Sequence, residues 1–289
     1  MTTRREALAS GAALTVSLSS LSWLAEGAGT QMPVLFIGHG SPMNTLEDNP
    51  FTDAWRRIAA ALPRPRAILC VSAHWETPEP MVLTAAKPDT IHDFHGFSPE
   101  LHAFRYPAPG APEVAREAAR MVRSQAVGES DQWGLDHGTW SVLAHLFPDA
   151  SVPLFQLSLG ESLAASAHLA LGRELAALRL AGVLILGSGN LVHNLPQLMM
   201  DRRSVREPKL RDWAGSFDAQ VTELIEARNF DRLADLDGFG PVLRLAHPTL
   251  EHYLPLLYTL GAGGRDAQVQ FFAEGFVGGS LSMRSLIMI

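Results

Sequence analysis

Four histidines stand in four separate motifs: Gly38-His39-Gly40-Ser41-Pro42, Ser72-Ala73-His74-Trp75, Gly189-Asn190-Leu191-Val192-His193-Asn194 and Leu250-Glu251-His252-Tyr253. The first three each follow an apolar run. Imidazole is the commonest protein metal ligand, and in open α/β sheets ligands bind beyond the carboxyl ends of the strands. Histidines far apart in sequence, each just past a strand, read as ligands converging on one metal ion. Any single one of the eleven histidines is more often a structural residue; the shared placement of several carries the reading.

Each motif has local support. Glycines on both sides of His39 allow a tight turn that leaves the ring exposed. Ser72 and Ala73 are small and leave space at a strand end. His193 follows a Gly-Asn turn and precedes Asn194, a candidate partner for the ring. His252 is expected in the first turn of a helix capped by Thr249, with Glu251 alongside. Two further segments bear on chemistry. Trp133 to Trp140 holds the pair Asp136-His137, where His137 would donate to a substrate, Asp136 would orient it or its loop, and Thr139 would cap the following helix. The bland alternative there is a helix-capping loop with an incidental histidine. Ile91-His92-Asp93-Phe94-His95-Gly96-Phe97, followed by Tyr106-Pro107-Ala108-Pro109-Gly110, is an aromatic and proline-rich loop able to cover a ring-shaped ligand. His92, His95 and His102 read as loop-packing or solvated residues, His145 and His168 as structural helix residues, and His247 as either.

Common alternatives are absent. No helix carries a His-x-x-x-His pair, no phosphate-binding Gly-Lys loop occurs, Gly187 to Asn190 lacks a dinucleotide fingerprint, and Gly160-Glu161-Ser162 lacks the hydrolase elbow.

Strands are expected at 33–37, 67–71, 152–159, 182–187, 269–272 and 280–289. Helices are expected at 49–62, with Asn49 or Asp48 as cap and Pro50 in the first turn, and at 112–124, 164–181 and about 210–228. Strands alternating with helices make this an α/β chain: a single three-layer α/β/α domain with a mostly parallel central sheet and its metal site at the carboxyl ends of the strands. The segment 199–245 is the least regular.

The 289 residues are 47% hydrophobic, enough for a large core. A net charge of −7 argues against a nucleic-acid binder. The lone cysteine, Cys70, reads as a core residue, so neither a disulfide nor a thiolate metal site is open to the chain. Residues 1–30 read as a twin-arginine signal built on Arg4-Arg5, or as a disordered extension, ahead of one domain at 31–289. The expected location is the periplasm if that signal is used and the cytoplasm otherwise. No segment reads as a membrane span.

Taken together, Gly38-His39-Gly40-Ser41-Pro42-Met43-Asn44, Ser72-Ala73-His74-Trp75, Ile91-His92-Asp93-Phe94, Tyr106-Pro107-Ala108-Pro109-Gly110, Asp136-His137-Gly138, Gly189 to Asn194 and Glu251-His252-Tyr253-Leu254-Pro255-Leu256 resemble the 4,5-DOPA extradiol dioxygenase family. That family belongs to the class III aromatic ring-opening dioxygenases, alongside the β subunit of protocatechuate 4,5-dioxygenase. The resemblance runs from about Met32 to the C-terminus and is weakest between Met199 and Leu245. It implies a non-haem metal, Fe(II) for catalysis, with Zn(II) often found in such sites. His39, His74, His193 and His252 match the metal-pocket histidines, and His137 matches an acid/base histidine. His193 matches a base and yet lies near the metal, so it carries both expectations. Class III relatives use two histidines and a glutamate, which leaves open whether His252 or Glu251 completes the set.

The implied reaction joins a DOPA-like catechol and O2 and opens the ring beside its two hydroxyls. A two-histidine, one-carboxylate face leaves coordination positions for both reactants, and a neutral histidine suits removal of a catechol proton. Four histidines closing around zinc would leave little room for substrate. A zinc-dependent hydrolase on the same scaffold and a non-enzymatic metal-binding protein are the alternatives.

Overall fold

Apolar runs that end in histidine motifs are buried on both faces, and this sets the layout. The computed structural model describes residues 31–203 and 210–289. Its central sheet holds β1 (Val34–Gly38), β2 (Ala67–Ser72), β3 (Leu154–Gln156), β4 (Val183–Gly189), β5 (Val269–Phe272) and β6 (Ser285–Met288). The spatial order is β3-β2-β4-β1-β6-β5. β1 to β4 run parallel, while β6 is antiparallel to β1 and to β5. Every residue of β1, β2 and β4 is buried, as central parallel strands covered on both sides must be.

Alternate residues feed two cores. On one face Leu35, Ile37, Ile68, Cys70 and Leu186 meet Trp55 and Ile58 of α1 (Pro50–Ala61) and Trp140 and Leu143 of α3 (His137–Leu146). On the other, Val34, Phe36, Leu69 and Ile185 meet α2 (Pro112–Met121), α4 (Ala165–Leu175), α5 (Asp212–Glu226) and α6 (Leu254–Gly263). The result is the α/β/α sandwich with a mostly parallel sheet. Local chemistry sets the helix starts. Asn49 caps α1, its Oδ1 accepting from the Phe51 and Thr52 N–H groups at 3.0 Å each, with Pro50 in the first turn.

Register then brings the strand ends together. Gly38 lies opposite Gly189, and Ser72 opposite Ser188. The ladder runs one step further: His39 N–H donates to the Gly189 carbonyl and Ala73 N–H to that of Ser188, both at 3.0 Å. The residues just past β1, β2 and β4 therefore share one rim.

Three expected elements differ. The helix expected at 164–181 ends as α-helix at Leu175 and tightens into a 3-10 turn, Ala176–Arg179, before Gly182 turns the chain at φ +80° into β4. The run 152–159 pairs with β2 only through Leu154–Gln156; Leu159–Gly160 instead pairs with Glu76–Thr77. The final stretch splits into Leu281–Ser282 and Ser285–Met288, because Ser282 Oγ and Arg284 Nε both turn toward the buried Asp218 carboxylate, at 2.6 and 2.8 Å. The expected signal at 1–30 lies outside the described residues. Among those described, no helix is long and apolar enough to cross a membrane.

Candidate metal centre

Three imidazoles form the centre of the rim. The ring centroids of His39, His74 and His252 are 5.1, 5.2 and 5.0 Å apart pairwise, close to an equilateral triangle. One ligand nitrogen from each lies within 4.8 Å of the other two. Nε2 of His39 is 3.2 Å from Nε2 of His74. Two nitrogens held at about 2.1 Å from one ion in tetrahedral or octahedral geometry would be roughly 3.0–3.4 Å apart.

The neighbours of each ring decide which nitrogen is free. Ser188 Oγ lies 2.6 Å from the Gly138 carbonyl, which only accepts, so the hydroxyl proton goes there. Ser188 Oγ must then accept from His39 Nδ1 at 3.0 Å, which puts that ring's proton on Nδ1 and leaves Nε2 bare. His74 Nδ1 faces Asp93 Oδ2 at 3.3 Å, and His252 Nδ1 faces Glu251 Oε1 at 2.9 Å. A carboxylate calls for a donor, so His252 carries its proton on Nδ1; His74 Nδ1 is not aligned with Asp93 as a hydrogen bond, but the carboxylate charge beside it draws that ring's proton to Nδ1 as well. Burial first, and then the neighbouring histidines, push all three well below the usual histidine value. Neutral rings with bare Nε2 atoms facing each other repel unless a cation stands between them. The donor set fits a metal ion.

Tight backbone contacts hold the rings. His252 sits in the turn before α6, and its carbonyl accepts from Asn190 N–H at 2.9 Å. A Cβ on Gly189 would stand 2.2 Å from that carbonyl, so only glycine lets the turn settle on the end of β4. Thr249 does not cap α6 as expected. Its hydroxyl donates to Glu251 Oε1 at 3.0 Å, because the chain stays in a turn until Leu254.

His137 opens α3 beside this triangle, with its centroid 3.8 Å from that of His74. The cap of α3 is Asp136 rather than Thr139: Asp136 Oδ1 accepts from Thr139 N–H at 3.0 Å, while the Thr139 hydroxyl is buried against Cys70 Sγ. Asp136 does not orient the His137 ring, but it does hold the loop, the other role expected of it. Its oxygens are taken by Ser72 Oγ and Gln156 Nε2, both at 2.6 Å, deep in the core where burial raises its proton affinity. The partner is Asp93, whose Oδ2 lies 2.9 Å from His137 Nδ1 and whose Oδ1 accepts the His137 backbone N–H at 3.0 Å. Burial works against the Asp93 charge, but the His137 hydrogen bonds and nearby imidazoles outweigh it and hold this carboxyl below the usual range.

His193 lies on the far side. Its ring stacks on His252 with centroids 3.4 Å apart and planes 5° from parallel. It groups with Glu251 and His252, outside the three-ring set. Burial, then His247 and His137, push it down to about 3. Asn194 is not its partner: its side chain accepts from Gln197 N–H and donates to the Leu245 carbonyl. Glu251 stands behind His252 rather than within the three-ring set.

The aromatic loop folds over His137. Phe94 sets its edge against the His137 ring at 5.5 Å and against Phe97 at 5.1 Å, and Trp140 Nε1 pins the loop by donating to the Ile91 carbonyl at 2.9 Å. Of the other six histidines, His145 bonds the Asn44 carbonyl, His168 the Tyr258 hydroxyl, His247 the Leu191 carbonyl and His92 the Phe104 carbonyl, His102 is half-buried against Phe94, and His95 is exposed.

Ser188 and Asp93 were missed as ring partners. Asp93 sits within a motif quoted above and Ser188 immediately before one, but they lie 44 and 149 residues from the rings they serve, a pairing that only the folded register reveals.

Comparison with known proteins agrees with this chemistry. The family described as the catalytic LigB subunit of aromatic ring-opening dioxygenase matches residues 33–282. A 4,5-DOPA dioxygenase extradiol of Escherichia coli (strain K12) is 44% identical over 262 residues, 89% of this chain and 94% of that protein. One of Beta vulgaris is 34% identical, over 86% of this chain and 94% of that protein. The crystal structure of an uncharacterized protein from Escherichia coli K12 superimposes with a TM-score of 0.74 at 38% identity, covering 89% of this chain and 99% of that one. The matched segment contains all five site histidines, and the chain belongs to the LigB family of aromatic ring-opening dioxygenases, metal-dependent enzymes of the extradiol class.

Proposed function

We propose that this enzyme opens a DOPA-like catechol with O2, using Fe(II) held by His39, His74 and His252. One observation carries the reading: bare Nε2 atoms of His39 and His74 face each other at 3.2 Å with His252 completing the triangle. The names of the relatives support the substrate class. When bound, the ion supplies a Lewis-acidic, redox-active centre on which catechol and O2 meet.

His39, His74 and His252 would hold the ion, and a three-ligand set would leave coordination positions for the reactants. His137, fixed through Nδ1 by Asp93, presents Nε2 to accept a proton from a catechol hydroxyl. His193, kept neutral beside His252, serves as the second acid/base group rather than a ligand. Phe94 and Phe97 keep water from the ring being opened. Glu251 orients His252 instead of ligating.

Anaerobic loading with Fe(II), followed by aerobic incubation with a panel of catechols, tests this by the yellow ring-opened product. Turnover is expected with Fe(II) and little with Zn(II). His137→Ala and His193→Ala are each expected to lower kcat by about 10²–10⁴-fold. Full turnover in both variants would remove the acid/base assignments; absence of any product in the wild type would remove the substrate reading.

A further inference from the structure

We propose that Asp93 is a positioning residue shared by the metal site and the proton-transfer site, fixing the tautomers of His74 and His137 with one carboxylate. This rests on the roles just proposed for those two rings. Asp93 Oδ2 lies 3.3 Å from His74 Nδ1 and 2.9 Å from His137 Nδ1, while Oδ1 takes the His137 backbone N–H at 3.0 Å. A carboxylate offers only acceptors, so His137 turns a protonated Nδ1 toward it, and the same negative charge 3.3 Å from His74 Nδ1, though not aligned as a hydrogen bond, favours the proton on that nitrogen too. Both Nε2 lone pairs then point away from Asp93, one toward His39 Nε2 at 3.2 Å.

The placement of Asp93 is itself built. Its loop is tied down just before it at Ile91, whose N–H donates to the Leu135 carbonyl at 2.8 Å and whose carbonyl accepts from Trp140 Nε1 at 2.9 Å. The side chain is only 17% exposed. The other nearby carboxylate, Asp136, is already committed to Ser72, Gln156 and the α3 N-terminus. No second acceptor faces either Nδ1 among the described contacts.

An asparagine at position 93 keeps the shape and loses this logic. Its amide oxygen satisfies one Nδ1–H, and its NH2 group opposes the other. A ring that answers by moving its proton to Nε2 stops being a ligand, if it is His74, or a proton acceptor, if it is His137. Loss of the carboxylate behind a ligating ring typically costs about 10–100-fold in metal affinity.

The test is a Zn(II) titration against a chromophoric chelator, with Fe(II) turnover and the unfolding midpoint of the metal-free protein measured in parallel. Asp93→Asn is expected to bind Zn(II) about 10–100-fold more weakly, with kcat falling more than KM changes and the metal-free midpoint near that of the wild type. Asp93→Glu is expected to recover part of the affinity. His137→Ala is expected to lower kcat by about 10²–10⁴-fold and leave Zn(II) affinity at the wild-type level. Wild-type affinity in Asp93→Asn overturns the proposal, and so does an equal loss in His137→Ala, which would trace the effect to the packing of that ring. Should the amide prevent folding, Asp93→Ser puts the same question to the same titration. The Zn(II) arm needs no substrate, so failure to turn over any catechol would sink the substrate reading and leave this one standing.

Discussion

Ser188 has a single hydroxyl proton, and its destination decides which nitrogen of His39 is available. Because the Gly138 carbonyl takes that proton, His39 is held with Nε2 bare. Ser188→Ala removes the acceptor without adding bulk and is expected to weaken metal binding about 10–100-fold, read by chelator competition. A wild-type affinity in that variant would mean that packing alone sets the ring. The same reasoning separates Glu251 from His252. His252→Ala is expected to lose stoichiometric metal, whereas Glu251→Gln keeps the ion at reduced affinity; metal analysis after desalting distinguishes them. The reverse order of effects would make Glu251 the ligand.

Elements matter here through how closely they approach. The first turn of α3 is pressed onto the end of β2: a Cβ added at Gly138 would stand 2.5 Å from Ser72 Oγ and 2.8 Å from His74 Cδ2. Gly138→Ala must push His74 or the helix aside, so it is expected to cost about 1–3 kcal/mol in urea unfolding and to lower metal content together. Unchanged metal content would show that the rim yields without disturbing the rings. The strand ends were legible in the sequence because buried parallel strands read as unbroken apolar runs, and a glycine or small residue follows each. Helix α1 was legible down to a choice of two caps, Asn49 or Asp48, of which Asn49 serves, with Pro50 marking the first turn. The cap expected at Thr139 is taken by Asp136, whose Oδ1 accepts the Thr139 N–H, whereas Thr249 has no helix to cap because the chain stays in a turn until Leu254. The pairing of Asp93 with His137 had no local signal, because it depends on where a long loop returns.

On the scale of the whole molecule, burial of neutral histidines ties stability to pH. His168 and His247 lie outside the rim and are each pushed down to about 4, chiefly by burial. Unfolding returns them to about 6.5, so the unfolded chain binds more protons between those values. The stabilisation is complete above the unfolded value and is lost as pH falls from about 6.5 to 4, at up to about 1.4 kcal/mol per pH unit per group. Urea midpoints of the metal-free protein at pH 7.5, 6 and 5 are expected to fall in that order, with His39, His74, His193 and His252 adding to the same trend. A flat profile would mean these rings are protonated inside the fold.

The triangle has one more consequence. His39 follows the first strand of the sheet and His252 precedes its last covering helix, so an ion between them clasps the early part of the chain to the late part. Such a clasp has no partner until the strands between have assembled, and afterwards it resists their separation. Loss of the ion to a chelator should therefore keep pace with the spontaneous opening of the rim, and release should slow whenever a small aromatic molecule sits beneath Phe94.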